Sequence, residues 1–145
     1  MMSNLQKELN QLVASWSVLY VKLHNFHWYV KGTSFFTLHE KFEELYNEAA
    51  VNLDEIAERI LALGGQPVAT LKEYLEISEI KEAVGSETAE QMVKTLIQDF
   101  ETMMKNLKNG MSEAANENDD TTEDLLNSIN QSLEKHVWML KAFIS

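Results

Sequence analysis

Apolar positions recur in alternating steps of four and three along several stretches of this chain, and each stretch predicts a long helix with one buried face. The first predicted helix covers residues 3–31, with Ser3 and Gln6 at the spacing of a capping box. The members of its stripe are Leu5, Leu9, Leu12, Trp16, Leu19, Leu23, Phe26 and Val30. A stripe sustained over so many turns is typical of a helical bundle.

A second stripe predicts a long helix over residues 36–63. Its members are Phe42, Leu45, Tyr46, Ala49, Leu53, Ile56, Ile60 and Leu63. Gly64, Gly65 and Pro67 follow at once. Glycine just past the last apolar position, with proline shortly after, predicts that the helix ends there.

The last 60 residues predict two further long helices, separated by a polar break at residues 116–119. The third long helix is predicted over residues 86–117 and the fourth over residues 120–143. Asp120 is the expected N-cap of the fourth helix, with Glu123 at the capping-box position. Its apolar positions include Leu125, Leu126, Ile129, Leu133, Val137, Leu140 and Ile144.

Between the two helical hairpins lies a crossover, residues 68–85, which lets the chain return along the bundle. A short helix is predicted within it over residues 70–77, where Thr70 and Glu73 have capping-box spacing. Two hairpins joined by one long connection predict an all-α, ferritin-like four-helix bundle. The 145 residues suit a single domain, 1–145.

Composition excludes several classes of chemistry. The chain has one proline and five glycines. It has no cysteine, and this excludes disulfides, thiolate metal sites and a cysteine nucleophile. No segment has the length of a transmembrane helix, and the start lacks the layout of a signal peptide, so a cytoplasmic protein is expected. A net charge of −11 argues against attraction to nucleic acid or an anionic membrane, and is compatible with attracting cations.

Two pairs of potential metal ligands lie on the second helix. His39 and Glu43 are four residues apart, as are Asp54 and Glu58, so the members of each pair share a helix face. Eleven residues, about three turns, separate Glu43 from Asp54, which puts both pairs on nearly the same face. Their centres lie roughly 22 Å apart along the axis, so one ion cannot contact both pairs of one chain.

The short turn between the first two helices places His27 beside His39. A second, antiparallel copy across a two-fold axis would bring its Asp54 and Glu58 opposite His39 and Glu43 of the first. Because a two-fold contact is self-complementary, it creates two equal sites. Imidazole and carboxylate ligands without thiolate suit iron, manganese or zinc.

Other interpretations of these residues stay open on spacing alone. Acidic residues four apart are common on solvated helix surfaces, and a lone His27 near an apolar stripe is often a hydrogen-bonded core residue. His24 and His27 are also compatible with a small zinc site, or with one metal ligand and a second residue that supports it. A non-catalytic, DNA-compacting or structural helical-bundle oligomer is the alternative function. An ordinary ferritin site inside one bundle is excluded, because the chain has no Glu-x-x-His motif.

Several segments closely resemble the Dps family of mini-ferritins. These segments are residues 24–32 (HNFHWYVKG), 35–41 (FFTLHEK), 54–59 (DEIAER) with the following Leu63-Gly64-Gly65, and 135–143 (KHVWMLKAF). The likeness covers essentially the whole chain. It implies a hollow homododecamer that oxidises Fe(II), preferentially with hydrogen peroxide over dioxygen, and stores Fe(III) mineral inside.

The resemblance also implies which residues hold iron. His27, His39 and Glu43 would come from one subunit, and Asp54 and Glu58 from its mate, with zinc as another possible occupant. Glu43 departs from the family pattern, in which many relatives have Asp.

Two further features acquire a role through the resemblance. Trp28 and His24 become candidates for supporting the site, Trp28 as an electron donor that quenches radicals or as plain interface packing. Acidic residues at the start of the fourth helix suggest a lining for cation pores. Asp120 and Asp124 are the first candidates for this lining, and Asp119 is the next. Direct DNA binding is not expected, because the first fifteen residues carry only Lys7 against Glu8 and the net charge is −11.

Overall fold

The computed structural model describes residues 2–145, and these form five helices and no β-strand. The helices are α1 (Asn4–Tyr29), α2 (Phe35–Ala62), α3 (Leu71–Ile77), α4 (Ala89–Asn116) and α5 (Asp120–Phe143). The all-α fold and the order of four long helices with a short one in the crossover are confirmed. No helix in this part of the chain is both long and apolar enough to cross a membrane.

The predicted apolar stripes form the core. All eight stripe residues of α1 are buried, from Leu5 to Val30. They pack against the buried faces of α2, α4 and α5 in one cluster. At Gly110 the helices α4 and α5 approach so closely that a Cβ atom would lie 2.8 Å from Leu126 Cδ1.

Contacts between helices define the direction of each. The C-terminal half of α1 contacts the N-terminal half of α4, where Lys22 Nζ lies 2.7 Å from Asp99. The end of α2 contacts the start of α5, where Arg59 Nε donates to the Thr122 hydroxyl at 2.8 Å. Thus α1 is antiparallel to α4 and α2 to α5, which leaves α2 and α4 parallel. This is the ferritin-like order that the long crossover predicts.

Buried polar side chains fix the crossover against the bundle. The Asn10 amide group donates to the Gln66 carbonyl at 3.3 Å, and its oxygen accepts from the Val68 backbone N–H at 2.8 Å. Further along, the Glu79 backbone N–H donates to the Ser15 hydroxyl at 3.0 Å. These bonds satisfy polar groups that burial would otherwise leave without partners.

The start of the third long helix and the N-cap of the fourth differ from the prediction. The third long helix begins at Ala89, three residues later than expected, because Thr88 and Gln91 form its capping box. The N-cap of α5 is Asp119 and not Asp120, since the Asp119 carboxylate accepts from the Thr122 backbone N–H at 3.0 Å. Arg59 holds the same carboxylate from α2, a tertiary contact that spacing alone does not reveal.

A polar cluster also joins the middles of α2 and α5. The Glu48 carboxylate accepts hydrogen bonds from Ser132 Oγ and His136 Nε2. The bond from His136, assisted by Ser132 and opposed by burial, holds the pKa of Glu48 below its ordinary value. A lowered carboxyl pKa stabilises the folded state above the ordinary pKa, and this contribution disappears as the pH falls through the folded-state pKa.

We therefore expect Glu48→Gln, which retains the shape but removes the charge, to lower the free energy of unfolding by about 1 kcal/mol at neutral pH. The loss should vanish in acid, where the wild-type carboxyl is itself protonated. Denaturant unfolding at both pH values measures this, with Glu101→Gln in an exposed ion pair with Lys141 as the control. An equal loss at both pH values would contradict the electrostatic explanation.

Candidate metal centre

The tight connection between α1 and α2 brings two predicted ligands into contact. His27 lies in the last turn of α1 and His39 near the start of α2. Gly32, at φ 108°, supports the reversal of the chain in a region where other residues are strained. The imidazole rings of His27 and His39 stack with centroids 3.7 Å apart and planes 13° from parallel.

Reciprocal hydrogen bonds define the tautomer of both histidines. Nδ1 of His27 donates to the His39 carbonyl at 2.6 Å, and Nδ1 of His39 donates to the His27 carbonyl at 2.7 Å. Because a carbonyl oxygen only accepts, each Nδ1 carries a proton, and in the neutral imidazole Nε2 is then the nitrogen with the lone pair. This arrangement orients an imidazole for metal binding through Nε2.

Glu43 lies at the edge of the histidine pair. One of its carboxylate oxygens is 3.9 Å from His27 Nε2. The His27 side chain is only 8% exposed, whereas the Glu43 side chain is 54% exposed. One chain therefore presents two oriented imidazoles and a carboxylate at the surface end of the α1–α2 hairpin.

Asp54 and Glu58 are held away from this group by the helix itself. Helix α2 is continuous over its 28 residues, so the two pairs remain roughly 22 Å apart along its axis. Asp54 and Glu58 are both exposed. Within residues 2–145, no three His, Cys, Asp or Glu side chains of a single chain come close enough to hold a metal ion.

Aromatic side chains surround the histidine end of the site. Nδ1 of His24 donates to the Tyr20 carbonyl at 3.1 Å, and its ring stacks on Tyr46 with centroids 3.7 Å apart. Trp28 is 68% exposed, with its ring centroid 5.2 Å from that of His24. Tyr46 belongs to the predicted apolar stripe of the second helix, and its polar contact was not predicted, because periodicity does not reveal where a hydroxyl points.

Tyr46 is the one aromatic side chain in this group that contacts a predicted ligand through a polar atom. Its hydroxyl donates to Glu43 at 3.5 Å. Burial, followed by the charge and hydrogen bond of Glu43, raises the pKa of Tyr46. The phenol therefore keeps its proton at neutral pH and acts as a donor.

The three candidate pore residues differ in their surroundings. Asp119 is bound to Arg59 and to the first turn of α5, and its side chain is only 13% exposed. Burial raises the pKa of Asp119, but the bonds from Thr122 and the charge of Arg59 outweigh it and lower the pKa overall. Asp120 and Asp124 are exposed, and Asp124 lines a shallow depression that also includes Glu58.

Comparison with known proteins agrees with the fold. The model of the ferritin-like domain family matches residues 6–145. "DNA protection during starvation protein 2" of Bacillus anthracis is 64% identical over 137 residues, which are 94% of each chain. "General stress protein 20U" of Bacillus subtilis is 58% identical over 144 residues, 99% of each chain.

Several solved structures superpose closely on this one. The crystal structure of Dps from Staphylococcus aureus superposes with a TM-score of 0.96 at 56% identity, over 98% of this chain and 95% of that one. A Dps protein from Bacillus brevis gives the same TM-score at 51% identity over the whole of both chains. A Dps structure from Listeria innocua soaked with zinc has a TM-score of 0.94 at 42% identity, over 97% of this chain and 96% of that one. The ferritin-like class is thus established, and the chain belongs to its Dps family.

Proposed function

We propose that this protein oxidises Fe(II), with hydrogen peroxide as the preferred oxidant, and stores the Fe(III) product as mineral inside a hollow homododecamer. The observation that carries the proposal is the separation of the ligands on one rigid helix. His39 and Glu43 occupy one end of α2, and Asp54 and Glu58 the other. Such an arrangement gives complete sites only when two chains pair.

The pairing has a simple register. In an antiparallel contact of α2 with its symmetry mate, His39 faces the partner's Glu58, and Glu43 faces the partner's Asp54. With His27, each site then has two imidazoles and three carboxylates. Nitrogen and oxygen donors of this kind suit Fe(II), and zinc can compete for them. Three carboxylates in one site repel one another until a cation neutralises them, so iron binding should also tighten the dimer.

The ligands have distinct roles in this chemistry. The two imidazoles bind Fe(II) through Nε2, and the carboxylates offset the charge that increases when Fe(II) becomes Fe(III). Two Fe(II) ions supply the two electrons, and solvent supplies the two protons, that convert one hydrogen peroxide to two waters. The longer side chain of Glu43 affects mainly the geometry of the more weakly held iron.

Neighbouring residues complete the proposal. Exposed Trp28, beside His27, is suited to donate an electron to radicals formed at the site. Asp120 and Asp124, both exposed, line the entry for cations, where clustered carboxylates raise the local Fe(II) concentration. Asp119 contributes mainly by holding α5 to α2 through Arg59.

Replacing one ligand at each end of α2 tests the site. We expect His39→Ala with Asp54→Ala to reduce the initial rate of peroxide-dependent Fe(II) oxidation at least tenfold, because every site loses an imidazole and a carboxylate. Ferric absorbance after rapid mixing measures the rate. The matched control, Glu44→Ala with Glu55→Ala, changes two exposed acids of the same helix and should retain the wild-type rate. Unchanged kinetics in the first variant would refute the ligand assignment.

The register also makes a prediction about assembly. Val51 is 55% exposed and lies between the two ligand pairs, close to the two-fold axis. Val51→Lys would place two positive charges near each other in an apolar contact, so we expect native mass spectrometry to show loss of dimers and of higher assemblies. Val84→Lys, in the crossover at a residue 82% exposed, is the control and should assemble normally. Intact assembly of Val51→Lys would place the two-fold contact elsewhere.

Protection of DNA, in this account, is chemical and does not need contact. With a net charge of −11, the protein has no overall attraction to phosphates. We expect no shift of plasmid DNA in a gel at low salt, while the same preparation reduces strand breakage by Fe(II) and peroxide. A clear shift at low salt would favour the DNA-compacting alternative.

A further inference from the structure

Tyr46 is the polar neighbour of Glu43, although it belongs to no predicted ligand set. The two residues are three apart on α2 and therefore share a face. The Tyr46 hydroxyl donates to Glu43 Oε1 at 3.5 Å. The same carboxylate oxygen is 3.9 Å from His27 Nε2. Glu43 Oε1 thus lies near both the phenol and the imidazole with which Glu43 would share a metal ion.

The position of this phenol is fixed by aromatic contacts on several sides. The Tyr46 ring stacks on His24 at a centroid distance of 3.7 Å and an interplanar angle of 20°. It also meets the rings of His27 and Tyr20 edge-on, at 5.3 and 6.1 Å. His24 is fixed in turn by its bond to the Tyr20 carbonyl. The hydroxyl therefore occupies a defined place beside the site.

Glu43 itself has little else to hold it. Its side chain is 54% exposed, and a glutamate has one more rotatable bond than an aspartate. An exposed carboxylate with that freedom loses conformational entropy when it binds an ion. A hydrogen bond from a rigid neighbour limits the loss before the ion arrives, which is a form of preorganisation. An aspartate at this position would be one methylene too short for the same contact.

We propose that Tyr46 is a positioning residue, which holds the Glu43 carboxylate toward the metal site and so compensates for the extra methylene of Glu43. This inference rests on the proposed function, because it assigns a role within that site. Tyr46 touches no iron and transfers no electron here. Tyr46 affects only how fully the metal position bound by Glu43 is occupied.

Tyr46→Phe removes the hydroxyl and keeps the ring contacts. Cobalt binding is followed anaerobically by the visible absorbance of bound Co(II). We expect the weaker of the binding events to weaken about fivefold, since a hydrogen bond as long as 3.5 Å lies at the weak end of the usual range. The tighter binding event, the native mass and the thermal unfolding should stay as in wild type. Tyr29→Phe, an exposed tyrosine of α1, is the matched control and should change nothing.

A double-mutant cycle separates positioning from a general effect on structure. In the Glu43→Asp background the shorter carboxylate no longer reaches the phenol, so adding Tyr46→Phe should have no further effect on Co(II) binding. An equal loss in both backgrounds, or none in the wild-type background, would overturn the positioning role. If the wild type binds Co(II) and oxidises Fe(II), and Tyr46→Phe binds Co(II) as tightly as the wild type, then this inference alone is refuted. Wild-type protein that does neither refutes the proposed function and the inference together.

Discussion

The stiffness of α2 is the constraint on which the proposed site depends. A continuous α-helix of 28 residues cannot fold back, so the ligands near its start and those near its end stay about four turns apart. Helix α2 has good metal ligands near both ends and keeps the two pairs separate. The two pairs can contribute to one site only if a second α2 helix packs alongside in the opposite direction, so the proposed chemistry requires assembly.

The α1–α2 hairpin supplies the precision that a metal site needs. Each histidine donates through Nδ1 to the backbone of the other, so the two rings fix one another without any additional side chain. The His27 carbonyl lies in the last turn of α1, where carbonyls lack intrahelical partners, whereas the His39 carbonyl near the start of α2 accepts this bond with its second lone pair. The carboxylates are held less firmly, since Glu43, Asp54 and Glu58 are all exposed, and neutralisation by a cation would order them.

Much of the fold follows from local pattern. The α1 stripe is buried in full, and α2 ends before Gly64, whose φ of 83° suits glycine. These features were predictable because helix periodicity and stop signals act over a few residues. The candidate residues of the hairpin were also found in this way, since a short turn leaves little freedom for His27 and His39.

What the sequence could not reveal depends on contacts between distant segments. The N-cap of α5 was misplaced by one residue because an acidic run offers two caps with the same spacing, and Arg59 of α2 decides between them. Glu48 and His136 are 88 residues apart, and no pattern within either helix indicates that they meet. Tyr46 was counted as core because its ring is apolar and lies in phase, while its hydroxyl reaches Glu43.

Mixing two defective subunits tests the shared site most directly. One subunit lacks His39 and Glu43, the other lacks Asp54 and Glu58, and the two are co-expressed so that dimers form at random. Each alone should fail to oxidise Fe(II) rapidly. In a mixed dimer one of the two sites has all its ligands intact, so about a quarter of the wild-type number of sites should return. No recovery in particles shown by native mass spectrometry to contain both subunits would contradict a site shared between chains.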